Sequence, residues 1–247
     1  MSFDLKQALQ DETLLLLHQQ NDGERLTVYQ NNAFRWLQLG TIVQSVMSLQ
    51  EPQRPILSYL QPLLLIPYLR PDIQHILELG LGGGAIQRFF ANKPQQVTSV
   101  EWDPGIIEVY QQYFAIDNAG TVIQDDAAHY VQQGELVDWL IVDLFNHDGA
   151  SPFTFHQLFY QFCAARLTEQ GILSVNLLPE TPLQIEIVKE LLEGLFAQPA
   201  MEIRLPGYKN RLLTISKTPL PELRYCDALV DYANQHQLDL NQFQIVS

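Results

Sequence analysis

A glycine-rich turn, Gly80-Leu81-Gly82-Gly83-Gly84, separates the apolar run Ile76-Leu77-Glu78-Leu79 from a helical segment that starts at Ala85. Strand, glycine turn and helix in that order constrain the fold more than any other feature of the chain. Glycine carries no Cβ, so a ligand can approach the backbone of such a turn. The free N–H groups of the following helix then point at that ligand. Downstream, apolar strands alternate with helices. Strands are expected at Val97–Glu101, Thr121–Gln124, Trp139–Asp143 and Gly171–Leu177. Helices are expected at Ala85–Asn92, Pro104–Phe114, Ala127–Gln132, Thr154–Leu167 and Pro182–Phe196. This alternation predicts a parallel, doubly wound sheet covered on both faces, with right-handed crossovers. Met201–Leu205 and Arg211–Ser216 read as a late hairpin, and Cys226–His236 as a final helix.

The first 55 residues follow another pattern. Asp4 to Gln19 has helical spacing, and the segments Arg25–Tyr29, Arg35–Leu39 and Val43–Leu49 read as a small β-meander. Leu57 to Leu69 reads as one buried helix. Two units are therefore expected: residues 1–55, a small β-rich N-terminal extension, and residues 56–247, a Rossmann-like α/β domain.

Composition excludes some function classes. The 247 residues carry a formal net charge of -14, which disfavours nucleic acid and anionic membranes as partners. A small cation would be attracted; equally, acidity alone keeps a protein in solution. Cys163 and Cys226 have no metal-ligand spacing and read as buried free thiols of a reducing compartment. Residues 1–10 lack the apolar core of a secretory signal. The apolar stretch Ile56 to Leu69 is broken by Gln61, Pro62 and Pro67 and falls short of the roughly 20 residues of a membrane span. A cytoplasmic location is the expectation.

In a doubly wound sheet, ligands bind beyond the carboxyl ends of the strands. Gly80 and Gly82 follow the first core strand, and Glu101 ends the second, about 20 residues on, where an acid receives ribose hydroxyls. Gly80, Gly82 and Ala85 also satisfy the nicotinamide fingerprint. Asp125-Asp126 counts against that reading, because a carboxylate there can accept from an adenine amine while the N–H of Ala127 donates to the ring. The same two acids can instead cap the helix at Ala127. No Tyr-x-x-x-Lys pair is present for hydride chemistry. Asp143, at the end of the fourth strand, is either a general base or a loop-capping residue. His147 and Asp148 in the following loop read as solvent-facing. Trp36 and Trp139 read as core, and Trp102 as either core or an adenine-stacking residue.

Residues 76–178 resemble the catalytic domain of the spermidine synthase family, a branch of the S-adenosylmethionine-dependent methyltransferase fold. The matching residues are Leu79 to Gly84, Val100-Glu101-Trp102-Asp103-Pro104, Asp125-Asp126-Ala127 and Ile141-Val142-Asp143. Leu39 to Gln44 resembles the family's strand pair ending in a cofactor-contacting glutamine, and Tyr59 falls where the family has a tyrosine. The resemblance implies S-adenosylmethionine or its decarboxylated form as cofactor, with Gln44, Glu101 and Asp126 as ligands. It implies a small-molecule acceptor near Tyr59 and Asn146, and a homodimer, for which the N-terminal strands offer an edge.

Three departures bear on the acceptor. The family's glycine turn reads G-G-G-D-G-G, and Gly83 stands where it has the aspartate. Its Tyr-His-Glu is here Tyr59-Leu60-Gln61, and its Asp-Ser-x-Asp is Asp143-Leu144-Phe145-Asn146. Those acids hold a diamine's ammonium groups, and buried ammonium without anionic partners is costly. The expectation is therefore a spermidine-synthase-like transferase with a non-standard acceptor. The alternatives are a genuine polyamine aminopropyltransferase and a non-catalytic cofactor-binding protein.

Overall fold

The computed structural model describes residues 3–11, 13–21, 24–146 and 149–246. The chain begins with one helical turn, α1 (Leu5–Ala8), capped by the Asp4 carboxylate, which accepts from the Gln7 N–H at 3.1 Å. The expected helix over Asp4–Gln19 ends there. Leu14–Asn21 is instead a strand, β1, paired antiparallel with β2 (Glu24–Gln30). Four consecutive leucines suit a helix or a strand equally. Pairing decides, because β2 takes up the backbone groups of β1, and an extra residue in β1 between Leu15 and Leu17 shifts the register. β3 (Phe34–Leu39) and β4 (Ile42–Ser48) complete a four-stranded antiparallel sheet, of which β2, β3 and β4 are the expected meander.

The expected buried helix over Leu57–Leu69 is two single turns, α2 (Leu60–Leu63) and α3 (Ile66–Leu69). Pro67 has no N–H to continue the ladder from the preceding turn, so the helix breaks before it. Then come β5 (His75–Leu79), α4 (Ala85–Phe90), β6 (Gln96–Glu101), α5 (Pro104–Val109), β7 (Thr121–Gln124), α6 (Ala127–Tyr130) and β8 (Val137–Val142). After α5 the chain widens into a π-helical turn, Tyr110–Phe114, closed by Ala115 N–H donating to the Tyr110 carbonyl at 2.8 Å. A two-residue hairpin, β9 (Phe145–Asn146) and β10 (Gly149–Ala150), precedes α7 (Gln157–Ala165). It is followed by β11 (Leu167–Leu177), α8 (Pro182–Phe196), β12 (Met201–Arg204), β13 (Arg211–Ser216), α9 (Asp227–Gln235) and β14 (Gln244–Val246).

The main sheet has eight strands in the order β14-β12-β13-β11-β8-β5-β6-β7. β11, β8, β5, β6 and β7 are parallel, and β13, β12 and β14 add an antiparallel edge. The late hairpin is as expected, whereas β14 is an unforeseen third member of that edge. One face is covered by α7 and α8 through Tyr160, Val188 and Leu192, and the other by α2, α3, α4 and α9 through Leu63, Ile66, Phe90 and Leu229. The N-terminal sheet packs on α5 and its π turn, where Leu26, Leu37 and Met47 meet Val109, Tyr110 and Phe114. Trp36 and Trp139 are fully buried. Cys163 is buried, but Cys226 is exposed beside the Tyr68 hydroxyl, which corrects the reading of two buried thiols. Among the described residues, no helix is long and apolar enough to cross a membrane.

Candidate active site: two chambers meeting at Tyr59

The chain runs outward from β5 through β6 to β7, then returns so that β8 lies on the other side of β5. Connections diverge between β5 and β8, which opens a crevice at their carboxyl ends. The glycine turn leaves β5 there and Asp143 leaves β8. The two are locked together: a Cβ on Gly80, whose φ is +99°, would lie 2.2 Å from the Asp143 carbonyl oxygen. Gly84, at φ +67°, is covered by the Tyr110 ring. Gly82 differs, since a Cβ there would meet nothing within 4 Å. Its open face borders a cavity of about 370 Å3.

Five carboxylates line this cavity: Glu78, Glu101, Asp103, Asp126 and Asp143. No lysine, arginine or histidine is among its described lining residues. Glu101 accepts from the N–H of Leu81 at 3.2 Å and of Asp103 at 3.1 Å, which fixes its carboxylate against the glycine turn. Burial pushes its pKa up, and these backbone hydrogen bonds oppose the rise. Asp126 caps α6 by accepting from the His129 N–H at 2.9 Å, and it lines the cavity together with Ala127. Capping and cavity lining are thus compatible. Asp125 does not line the cavity; its carboxylate turns to the His129 ring at 3.0 Å. Trp102, 57% exposed, is a wall of the cavity rather than core.

Gln44 reaches the cavity through a β-bulge. Ser45 pairs with Leu37 and Val43 with Gln38, so Gln44 is the extra residue in β4. Bulges of this kind re-aim a side chain. Next to it, Ser45 occupies the space over Gly83, where a Cβ would fall 2.5 Å from the Ser45 hydroxyl. Gly83→Asp alone is therefore expected to lower stability by about 2 kcal/mol, and Ser45→Gly in the same chain to recover at least half of that. Urea unfolding of the two single variants and the double variant checks this; additive losses would show that Ser45 is not the obstacle.

Asp143 accepts from the Asn176 side chain at 2.8 Å and from the Tyr59 hydroxyl. Burial raises its pKa to about 6, against the pull of those two donors. Tyr59 is raised well above its ordinary value by burial and by the Asp143 charge. Asn176 accepts in turn from Asn210 at 3.0 Å, so a hydrogen-bonded line crosses from Asp143 to the loop before β13. A second, larger chamber of about 720 Å3 shares Gln44, Tyr59 and Phe145 with the first. The Asn146 side chain and residues 147–148 lie outside the described part.

Glu78, Asn176, Ser45 and Arg88 are site residues that sequence reasoning missed. Glu78 is buried in β5 and accepts from the Ser99 hydroxyl; burial, with Asp143 and Glu101 nearby, raises its pKa well above the carboxylate range. The available signal was a carboxylate, and likewise an asparagine, inside an otherwise apolar strand. Buried Arg88 donates to the Gly83 carbonyl and to the Pro52 carbonyl, holding the glycine turn against the N-terminal segment. Among the described residues, no group of three or more His, Cys, Asp or Glu is placed to hold a metal.

A family model for the spermine/spermidine synthase domain matches residues 66–212. A polyamine aminopropyltransferase of Pectobacterium atrosepticum is 29% identical over 169 residues, covering 64% of this chain and 57% of the relative. One of Chromobacterium violaceum is 30% identical over 150 residues, covering 58% and 57%. The chain thus spans a little over half the length of these curated relatives. A solved structure of a probable spermidine synthase from Corynebacterium glutamicum superposes with a TM-score of 0.77 at 16% identity, covering 89% of this chain and 86% of that one. Human methyltransferase-like protein 13, solved with SAH, reaches a TM-score of 0.55 at 22% identity, covering 72% and 84%. These likenesses carry the α/β methyltransferase-type fold. With the family model covering more than half of the sequence and the glycine turn and strand-end acids inside the matched region, this chain belongs to the spermine/spermidine synthase family.

Proposed function

We propose that this chain is a transferase that binds a nucleoside sulfonium, S-adenosylmethionine or its decarboxylated form, and passes a group to an acceptor other than the standard diamine. The observation that carries this reading is the sign of the smaller chamber. An acidic lining with no basic side chain would repel the pyrophosphate of a dinucleotide and attract a sulfonium. The open face of Gly82 leaves the room that such a cofactor needs, and a Cβ would fill it. In this reading Glu101 and Gln44 hold the sugar, and Asp126 and the Ala127 N–H the adenine.

The bound sulfonium supplies a carbon whose bond to sulfur breaks readily, because a neutral thioether leaves. The protein's own residues then position the acceptor and handle one proton. Asp143, with a pKa of about 6, is ionised at neutral pH and can accept that proton. Tyr59 and Asn176 hold the Asp143 carboxylate at the junction of the two chambers. The acceptor is non-standard because Gly83, Gln61 and Asn146 stand where the family carries diamine-binding acids.

Isothermal titration with S-adenosylmethionine, decarboxylated S-adenosylmethionine and 5′-methylthioadenosine tests the cofactor reading. Micromolar binding of at least one is expected, and no heat with any of them overturns it. Incubation with decarboxylated S-adenosylmethionine and putrescine tests the acceptor. Little or no spermidine is expected; turnover at an ordinary enzymatic rate of about 1 s⁻¹ or more would establish a genuine aminopropyltransferase.

A further inference from the structure

The two chambers that meet at Tyr59 differ in charge. The charged residues lining the larger one are Arg54, Lys209 and Asp239. The Asp239 carboxylate accepts from the Asn241 N–H at 3.0 Å and from its side-chain amide at 3.1 Å. Arg54 pairs with Glu51 at 3.3 Å. Lys209 makes no ion pair among the described residues. The charges that line this chamber, two cations and one carboxylate, therefore sum to a positive value, against the sign of the whole protein.

Val43, Ile56, Leu57 and Leu178 give this chamber an apolar stretch of wall. A volume of about 720 Å3 falls in the range of sites for sizeable organic molecules. A linear diamine reaching from Asp143 along this wall would bring its far ammonium into a chamber whose lining cations outnumber its one carboxylate. Like charges brought together in a partly desolvated chamber repel strongly.

We propose that the larger chamber takes an acceptor with an apolar body and a terminal carboxylate, its nucleophilic end at Asp143 and Tyr59 and its carboxylate at Lys209. This rests on the transferase reading, because the smaller chamber is assigned to the donor. The line Asp143–Asn176–Asn210 ties the loop that carries Lys209 to the reacting end and so sets the span between the two ends of the acceptor.

The test uses 8-aminooctanoate and 1,8-diaminooctane as matched probes, titrated into the full chain with and without saturating 5′-methylthioadenosine. The expected result is at least tenfold tighter binding of the amino acid. Lys209→Ala should remove that preference and Lys209→Glu should reverse it, with melting temperatures unchanged because Lys209 is exposed. Equal or tighter binding of the diamine, a preference that survives Lys209→Ala, or no heat with either probe overturns the proposal. The two readings fail separately. If 5′-methylthioadenosine does not bind but the preference depends on Lys209, the donor assignment falls and the carboxylate site stands. If it binds and no preference is found, the carboxylate site falls alone.

Discussion

Asp143→Asn is expected to abolish transfer while making the protein more stable above pH 6. In the folded chain, burial raises the Asp143 pKa from 3.8 to about 6. A carboxyl group raised in this way binds its proton more tightly folded than unfolded. Its contribution to stability is present below 3.8 and is lost as pH rises from 3.8 to 6. Above 6 the ionised group is a standing cost of at most about 3 kcal/mol. Asparagine removes that charge but accepts one hydrogen bond fewer from Asn176 and Tyr59, a loss of about 1 kcal/mol. The net gain of about 1–2 kcal/mol should appear as a melting temperature higher by a few degrees at pH 8 and unchanged or lower at pH 4. Transfer, read as thioether release, should fall by about 10²–10⁴ if the carboxylate takes the proton. In the unmutated protein kcat/KM should rise with pH through about 6, and that limb should vanish in the variant. A variant that destabilises at pH 8 and retains activity would make Asp143 a structural cap.

Two alanine substitutions two positions apart should fail for different reasons. Gly80→Ala places a Cβ 2.2 Å from the Asp143 carbonyl in a backbone conformation at φ +99°. The obstacle is backbone of the adjacent strand end, so neither side can yield without opening the seam between β5 and β8. The positive φ costs about 1–2 kcal/mol and the clash about 1–3 kcal/mol more. Together they predict a drop in the unfolding midpoint large enough to threaten folding. Gly82→Ala meets nothing within 4 Å, so its stability cost is limited to the backbone strain of about 1–2 kcal/mol. Its methyl group enters the space assigned to the nucleoside, and binding of 5′-methylthioadenosine should weaken at least tenfold. Chemical denaturation and calorimetry on the same two variants separate these effects. If Gly82→Ala binds normally, the cradle is not where the cofactor lies.

The parallel half of the sheet was legible because its signals are local. An apolar strand, a glycine turn and a helix at Ala85, repeated as strand and helix through Leu177, leave few ways to bury both faces. Pro182–Phe196 was readable to the residue, since Thr181 and Gln184 form a capping box and Pro182 opens the first turn. The failures arose where partners far along the chain decide. Leu14–Leu17 became a strand because β2 was there to pair with it, and β14 was invisible because three residues at the end of the chain become a strand only beside β12.

The same division runs through the site. Gly80, Gly82, Glu101, Asp126, Ala127 and Asp143 could be found in the sequence because each stands at a strand end or the turn that follows, where the fold class predicts a crevice. Their neighbours could not. Glu78, Ser99 and Asn176 lie on three different strands, and only the sheet order brings Ser99 against Glu78 and Asn176 against Asp143. Gln44 was identified through a family likeness, but its aim comes from a bulge set by the pairing of β3 with β4. Gly83 makes the division plain. The sequence alone determined that no carboxylate stands at that position, because residue identity is local. Only the tertiary structure decided why none would fit there: the N-terminal sheet, folded back over the turn, puts Ser45 in the space a Cβ would need. Contacts between residues so far apart along the chain depend on packing, which local pattern does not encode.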